Sequence, residues 1–160
     1  MKRSFVYPLL FCVISLSTAL VGCKKKCQVD ELSKDSGEII QDVTIIPSGG
    51  SLTGNMGSDF VIDANHQHAN AFQIRFGDSP SENVDYSKYY ILANPIVVKC
   101  NVALERSVTI DDVNQKVVYS VKATQCPECE AASYIENYVL VPAFPSSYTV
   151  ELDTAVITKQ

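Results

Sequence analysis

Ile96 to Ile110 reads IVVKCNVALERSVTI, and its even positions are Ile96, Val98, Cys100, Val102, Leu104, Arg106, Val108 and Ile110, while the odd ones include Lys99, Asn101, Glu105, Ser107 and Thr109. One face is greasy and the other wet, the period of a half-buried β-strand. A strand of that length is unusual, and the apolar face breaks at Arg106, so the spacing predicts a bend or bulge near Glu105-Arg106. Val117, Tyr119, Val121 and Ala123 then alternate with Val118, Ser120 and Lys122, and the residues between the two runs, DDVNQK (Asp111 to Lys116), suit a hairpin connection.

Working outward, Tyr148, Val150, Leu152 and Val156 alternate with Thr149, Glu151 and Asp153 and predict a C-terminal strand. Tyr138 to Ala143 is apolar on both sides, as in a strand covered on each face, and Pro142 marks its end because proline cannot donate to a ladder. Ile39 to Ile46 and Phe72 to Phe76 read as strands, with a weaker signal over Asp59 to Ala64; PSGGSLTGNMGS and GDSPSENVDYS read as exposed loops. Only Ala131 to Asn137 offers a short helix. The expected fold is all-β: a small antiparallel sandwich or partly closed barrel of six to seven strands.

The N-terminus has a different logic. Lys2 and Arg3 precede an apolar or small run from Phe5 to Gly22, the layout of an export signal. Pro8, Ser15, Ser17 and Thr18 make that run a poor permanent span, which needs about 20 apolar residues. Removal of residues 1–22 leaves a 23–37 leash, KKKCQVDELSKDSG after Cys23, without apolar period, and a single β-domain over 38–160. The mature chain would carry 11 Lys and Arg against 18 Asp and Glu, since only Lys2 and Arg3 of the 13 cations are lost. That acidic balance argues against nucleic acid, whose binding depends on clustered Lys and Arg, and the basic cluster Lys24 to Lys26 sits at the tether.

With Cys12 inside the apolar run, Cys23 just past its end and an oxidising compartment implied by export, Cys27, Cys100, Cys126 and Cys129 read as disulfide candidates. The hairpin brings Cys100 near the CPEC stretch, so a bridge from Cys100 to Cys126 or Cys129 is expected, worth about 3 to 4 kcal/mol on the chain-entropy model. Cys27 is then a staple for the leash or a free thiol. CPEC as a redox motif would open a helix in a βαβ unit, and here it follows strands and is flanked by Glu128 and Glu130, which raise a thiol pKa. His66 and His68, two apart in NHQH, are the low-ranking metal candidates, with Cys126 and Cys129 completing a tetrahedral set. Tyr86, Tyr89 and Tyr90 read as core and edge packing before a contact patch. There is no G-x-S-x-G, no phosphate loop and no isolated carboxylate pair, so the expectation is a protein that is not an enzyme and uses no cofactor.

Two resemblances extend this reading. Leu20-Val21-Gly22-Cys23 resembles the lipobox of bacterial lipoproteins, which implies signal cleavage before Cys23 and its acylation, with anchoring in the membrane by chains worth about 0.8 kcal/mol per buried methylene. Lys24 after the cysteine fits passage to the outer membrane, and the late Asp30-Glu31 fits the periplasmic face. VDYSKYYIL, Cys100, ERSVTIDDVNQKVVYSVKATQC and NYVLVPAFPSSYTVEL, about residues 84 to 153, resemble a family of uncharacterised secreted lipoproteins common in the Bacteroidetes. The hairpin and the VLVP-to-strand ending are also similar to the C-terminal domain of the protease-complex subunit PrcB, from which the chain departs in lacking a Thr-Gly-Gly-Tyr element. The resemblance implies a β-domain in the envelope, joined to a protein partner such as a protease; it maps no catalytic residue here. The alternative is a periplasmic metal- or small-ligand-binding module using His66 and His68.

Overall fold

The computed structural model describes Val29 and residues 34–48, 60–99, 102–127 and 132–159. The signal run, Cys23, Cys27, Cys100 and Cys129 lie outside them. The strands are β1 (Lys34–Gly37), β2 (Val43–Pro47), β3 (Val61–Ile62), β4 (Phe72–Phe76), β5 (Glu82–Asn83), β6 (Tyr89–Ala93), β7 (Ile96–Lys99), β8 (Val102–Asp111), β9 (Lys116–Gln125), β10 (Ala132–Ile135), β11 (Tyr138–Pro142) and β12 (Thr149–Thr158), with one turn of 3-10 helix at Ala69–Ala71. The fold is all-β. The described residues form twelve strands of two to ten residues, where six or seven were expected.

They form sheets of order β1-β8-β9-β12, β11-β6-β3 and β2-β4-β5, plus the ribbon β10-β7. The β11-β6-β3 sheet lies in the middle. Leu92, Val139 and Val141 pack toward the four-stranded sheet with Val108, Val117, Tyr119 and Val121. Their neighbours Ile91, Ala93 and Leu140 pack the opposite way, on Phe72 and Ile74 of β4. Since adjacent strand residues point to opposite faces, a strand covered on both sides needs an unbroken apolar run. The run at Tyr138 to Val141 is there for that reason, and Ile91-Leu92-Ala93, all fully buried, is its paired counterpart.

The hairpin β8–β9 forms as expected, in register from Val102 opposite Gln125 to Asp111 opposite Lys116. Its turn is set by Asp111, whose Oδ1 accepts the N–H groups of Val113 and Asn114 at 3.0 Å and whose Oδ2 accepts Asn114 Nδ2 at 2.6 Å. These bonds, that of Asn114 first, hold the Asp111 carboxyl below its ordinary range.

Four expectations change. The bend expected near Glu105-Arg106 does not occur: both residues sit inside β8, which runs without a break from Val102 to Asp111. Arg106 interrupts the apolar face because it is an inward charge with a partner: Nε and Nη2 each lie 2.6 Å from the Asp35 carboxylate, and Nη1 donates to Asn137 Oδ1 and the Tyr138 carbonyl at 3.1 Å. That partner sits in the expected leash, so Lys34–Gly37 is a strand and the ordered domain starts ahead of Glu38. The candidate helix over Ala131 to Asn137 contains instead β10, where Ser133, Tyr134 and Ile135 pair with Val98, Val97 and Ile96. Finally, both outer pairings of the four-stranded sheet, β1 with β8 and β12 with β9, are parallel rather than antiparallel.

Candidate functional site

β12 pairs on one side, with β9, through all ten residues from Thr149 opposite Lys116 to Thr158 opposite Gln125. In a parallel ladder, alternate residues turn both N–H and C=O to the same neighbour. Thr149 N–H donates to the Gln115 carbonyl and Lys159 N–H to that of Gln125, both at 2.9 Å, so the odd-numbered residues face β9. Val150, Leu152, Thr154, Val156 and Thr158 therefore present N–H and C=O outward. Among the described residues no strand takes them.

The two halves of β12 are held differently. Val150 and Leu152 pack on the core, and Thr154 Oγ1 accepts Asn94 Nδ2 at 2.9 Å. Beyond Thr154 the cover ends: Val156 is 46 % exposed and Ile157, on the other face, 43 %. The buried Gln125 ties this end down, its Oε1 accepting Lys99 N–H at 2.7 Å and its Nε2 reaching Thr158 Oγ1 at 3.3 Å. Charges are graded along the solvent face of the strand, with Glu151 and Asp153 toward its start and Lys159 just past its end. Glu151 pairs with Lys116 at 2.6 Å.

Behind this edge, small side chains line up across four strands. The register sets Ser36 beside Ser107, Ser107 beside Ser120 and Ser120 beside Asp153. They floor a shallow trough of about 490 Å³ whose rim includes Lys34, Glu105 and Lys122. Lys122 Nζ bonds Glu105 Oε2 at 3.0 Å, which holds the Glu105 carboxyl below its usual value. The trough offers hydroxyls and paired charges. No histidine stands in this row to take a serine proton, the step that activates such a nucleophile.

The sequence candidates fall elsewhere. His66 and His68 lie on the turn between β3 and β4, not on a strand, with ring centroids 5.6 Å apart. His68 N–H donates to His66 Nδ1 at 3.2 Å, and a neutral imidazole that accepts at Nδ1 carries its proton on Nε2. That nitrogen then has no lone pair for a metal. The described residues hold no group of three His, Cys, Asp or Glu placed to bind an ion. Cys126 is buried just past β9 and is disulfide-bonded, so it has no thiolate to give zinc; every other cysteine lies outside the described residues. Tyr86, Tyr89 and Tyr90 are spent on packing. Tyr86 donates to the Ala69 carbonyl at 2.9 Å and burial lifts its phenol to about 12, Tyr89 meets Phe76, and Tyr90 meets Phe144 edge-on at 5.1 Å.

Sequence reasoning missed two things. One is the Asp35–Arg106 pair, whose signal was the lone arginine on an apolar face. The other is the position of β12, since alternation reveals a strand and not its place in a sheet. Comparison of the chain with models of protein families, with curated proteins and with solved structures finds no significant match.

Proposed function

We propose that the chain is a lipoprotein of the cell envelope, anchored through acylated Cys23 in the outer membrane and facing the periplasm, whose β-domain is not an enzyme and binds protein by accepting a strand at the outer edge of β12. The observation that carries this reading is the open edge itself: ten residues with five outward N–H groups and five outward carbonyls, ending in the exposed pair Val156 and Ile157. Strand addition draws affinity from such main-chain groups and specificity from alternate side chains. Natural sheets close long edges with proline, bulges, inward charge or a covering strand, and among the described residues β12 has none of these. The lipobox supports the anchor, and the resemblance of residues 84–153 to envelope lipoproteins and to a protease-complex subunit supports a protease-associated partner.

Two measurements test it. A clickable palmitate analogue should label the wild-type chain and not Cys23→Ala. A photoreactive residue in place of Val156 should crosslink to a discrete protein species in intact cells, while the same residue at Val113, 91 % exposed at the hairpin tip, should not. Identical profiles from the two positions overturn strand acceptance.

A further inference from the structure

We infer that the outer face of the β7–β10 ribbon lies on the bilayer that holds the acyl anchor; this rests on the anchor proposed above and not on strand acceptance at β12. Val97 and Tyr134 stand directly opposite each other in the ribbon, 59 % and 47 % exposed. Their neighbours Ile96, Val98 and Ile135 pack on the core with Leu104, Val108 and Tyr119, so Val97 and Tyr134 turn away from it. The exposed Ile157 of β12 also turns away from the core, and the register carries it across Thr124 to Ala103 on the same side. Among the described residues, the large exposed apolar side chains gather at this open end of the β8–β9 hairpin, and Val113 alone stands at its tip.

The path of the chain decides what covers this patch. β1 runs parallel to β8 with Lys34 opposite Glu105, three positions from Val102 and six from Asp111, so β1 enters its ladder from the ribbon end. Cys23 lies eleven residues ahead of Lys34, which is about 36 Å at full extension and about 18 Å as a flexible coil. The ten residues of β8 span about 33 Å, so an anchor on that tether holds the ribbon beside the lipid and the hairpin tip away from it. A tyrosine among aliphatic side chains suits the boundary between headgroups and acyl chains, where the ring is buried and its hydroxyl stays wet. Charge does not carry the contact: Glu128 and Glu130 ahead of β10 and Glu136 just past it offset Lys99. A weak contact suffices, because the anchor makes the second binding event intramolecular. The outward N–H and C=O groups of β12 lie in the plane of the sheet, and the contact leaves them open to a partner strand.

The chain has no tryptophan, so Tyr134→Trp supplies a single fluorescent reporter, with Val113→Trp as its control at the hairpin tip. Each full lipidated chain is reconstituted on vesicles of phosphatidylethanolamine and phosphatidylglycerol, with and without brominated acyl chains, and flotation first reads the anchor. The Tyr134→Trp emission should shift to the blue and be quenched by bromine at low and high salt alike, while Val113→Trp does neither. Val97→Asp, placed in the Tyr134→Trp chain, should cut the quenching at least about threefold with the melting curve unchanged, since Val97 is exposed. Floating protein whose Tyr134→Trp reporter is quenched no more than Val113→Trp, or is quenched regardless of Val97→Asp, overturns the inference and leaves the anchor standing. A blue shift without quenching does the same, since protein, a second copy included, then covers the patch. Protein that does not float overturns the anchor and the inference together.

Discussion

The two outer strands of the four-stranded sheet are both parallel to their neighbours, yet they are opposite in character. β1 is four residues long and fixed by chemistry: a bidentate Arg106–Asp35 pair at 17 % and 20 % side-chain exposure, a bond from Ser36 Oγ to the Arg106 carbonyl, and a close at Glu38 N–H to the Val108 carbonyl. β12 is ten residues long, anchored by apolar contacts over its first half and open over its second. A short edge with a buried ion pair is a sealed edge. The long edge has outward donors, two exposed aliphatics and, among the described residues, no strand beside it.

The largest expected effect lies on the sealed side. Arg106→Ala strands the Asp35 carboxylate and removes the donors of Asn137 Oδ1 and the Tyr138 carbonyl, and removing one partner of a mostly buried pair costs about 3 kcal/mol or more. Chemical denaturation should read that loss, and a cost below about 1 kcal/mol would put β1 on a par with β12 as a loosely held edge.

Next comes Gly37, at φ +70°, where an added Cβ would meet the Val108 carbonyl oxygen. Gly37→Ala combines a left-handed backbone with that clash and should cost about 1 to 3 kcal/mol. Its signature is faster hydrogen exchange at the Glu38 amide.

On the open side, proline should read the alternation directly. Ile157→Pro deletes an N–H turned toward β9 and should cost about 1 to 3 kcal/mol, whereas Val156→Pro deletes an outward one and should leave monomer stability within about 0.5 kcal/mol. Equal costs at the two positions would mean that the outward edge is not free.

The smallest effect lies between the edges. Lys122, by its hydrogen bond, lowers the Glu105 carboxyl pKa below its ordinary value. With the folded pKa below the unfolded one, the contribution is full above the unfolded value and is lost as pH falls through the folded one. Carbon-detected titration should show the Glu105 midpoint move up in Lys122→Ala, with little change in melting temperature because the pair is solvent-exposed.

These particulars show what a single sequence carries. Period-two alternation found β8, β9 and β12, and the two-sided apolar run found β11 as a covered strand, because burial writes itself into neighbouring positions. The Arg106 interruption was visible but its cause was not: Asp35 lies 71 positions away in a stretch that reads as solvated leash. Strand order is non-local in the same way, so the β12 sequence announces a strand and is silent on whether its outer edge is filled. The NHQH stretch reads first as polar loop chemistry and second as a same-side histidine pair on an extended chain; the structure holds it as a turn, where His68 N–H reaches His66 Nδ1.

The grip on Asp35 also has a mechanical meaning. Any pull on the chain ahead of Lys34 arrives at four ladder rungs and one guanidinium clamp before it reaches an apolar side chain. A load applied at Lys34 is therefore met first by backbone hydrogen bonds and an ion pair, with the apolar layers behind them.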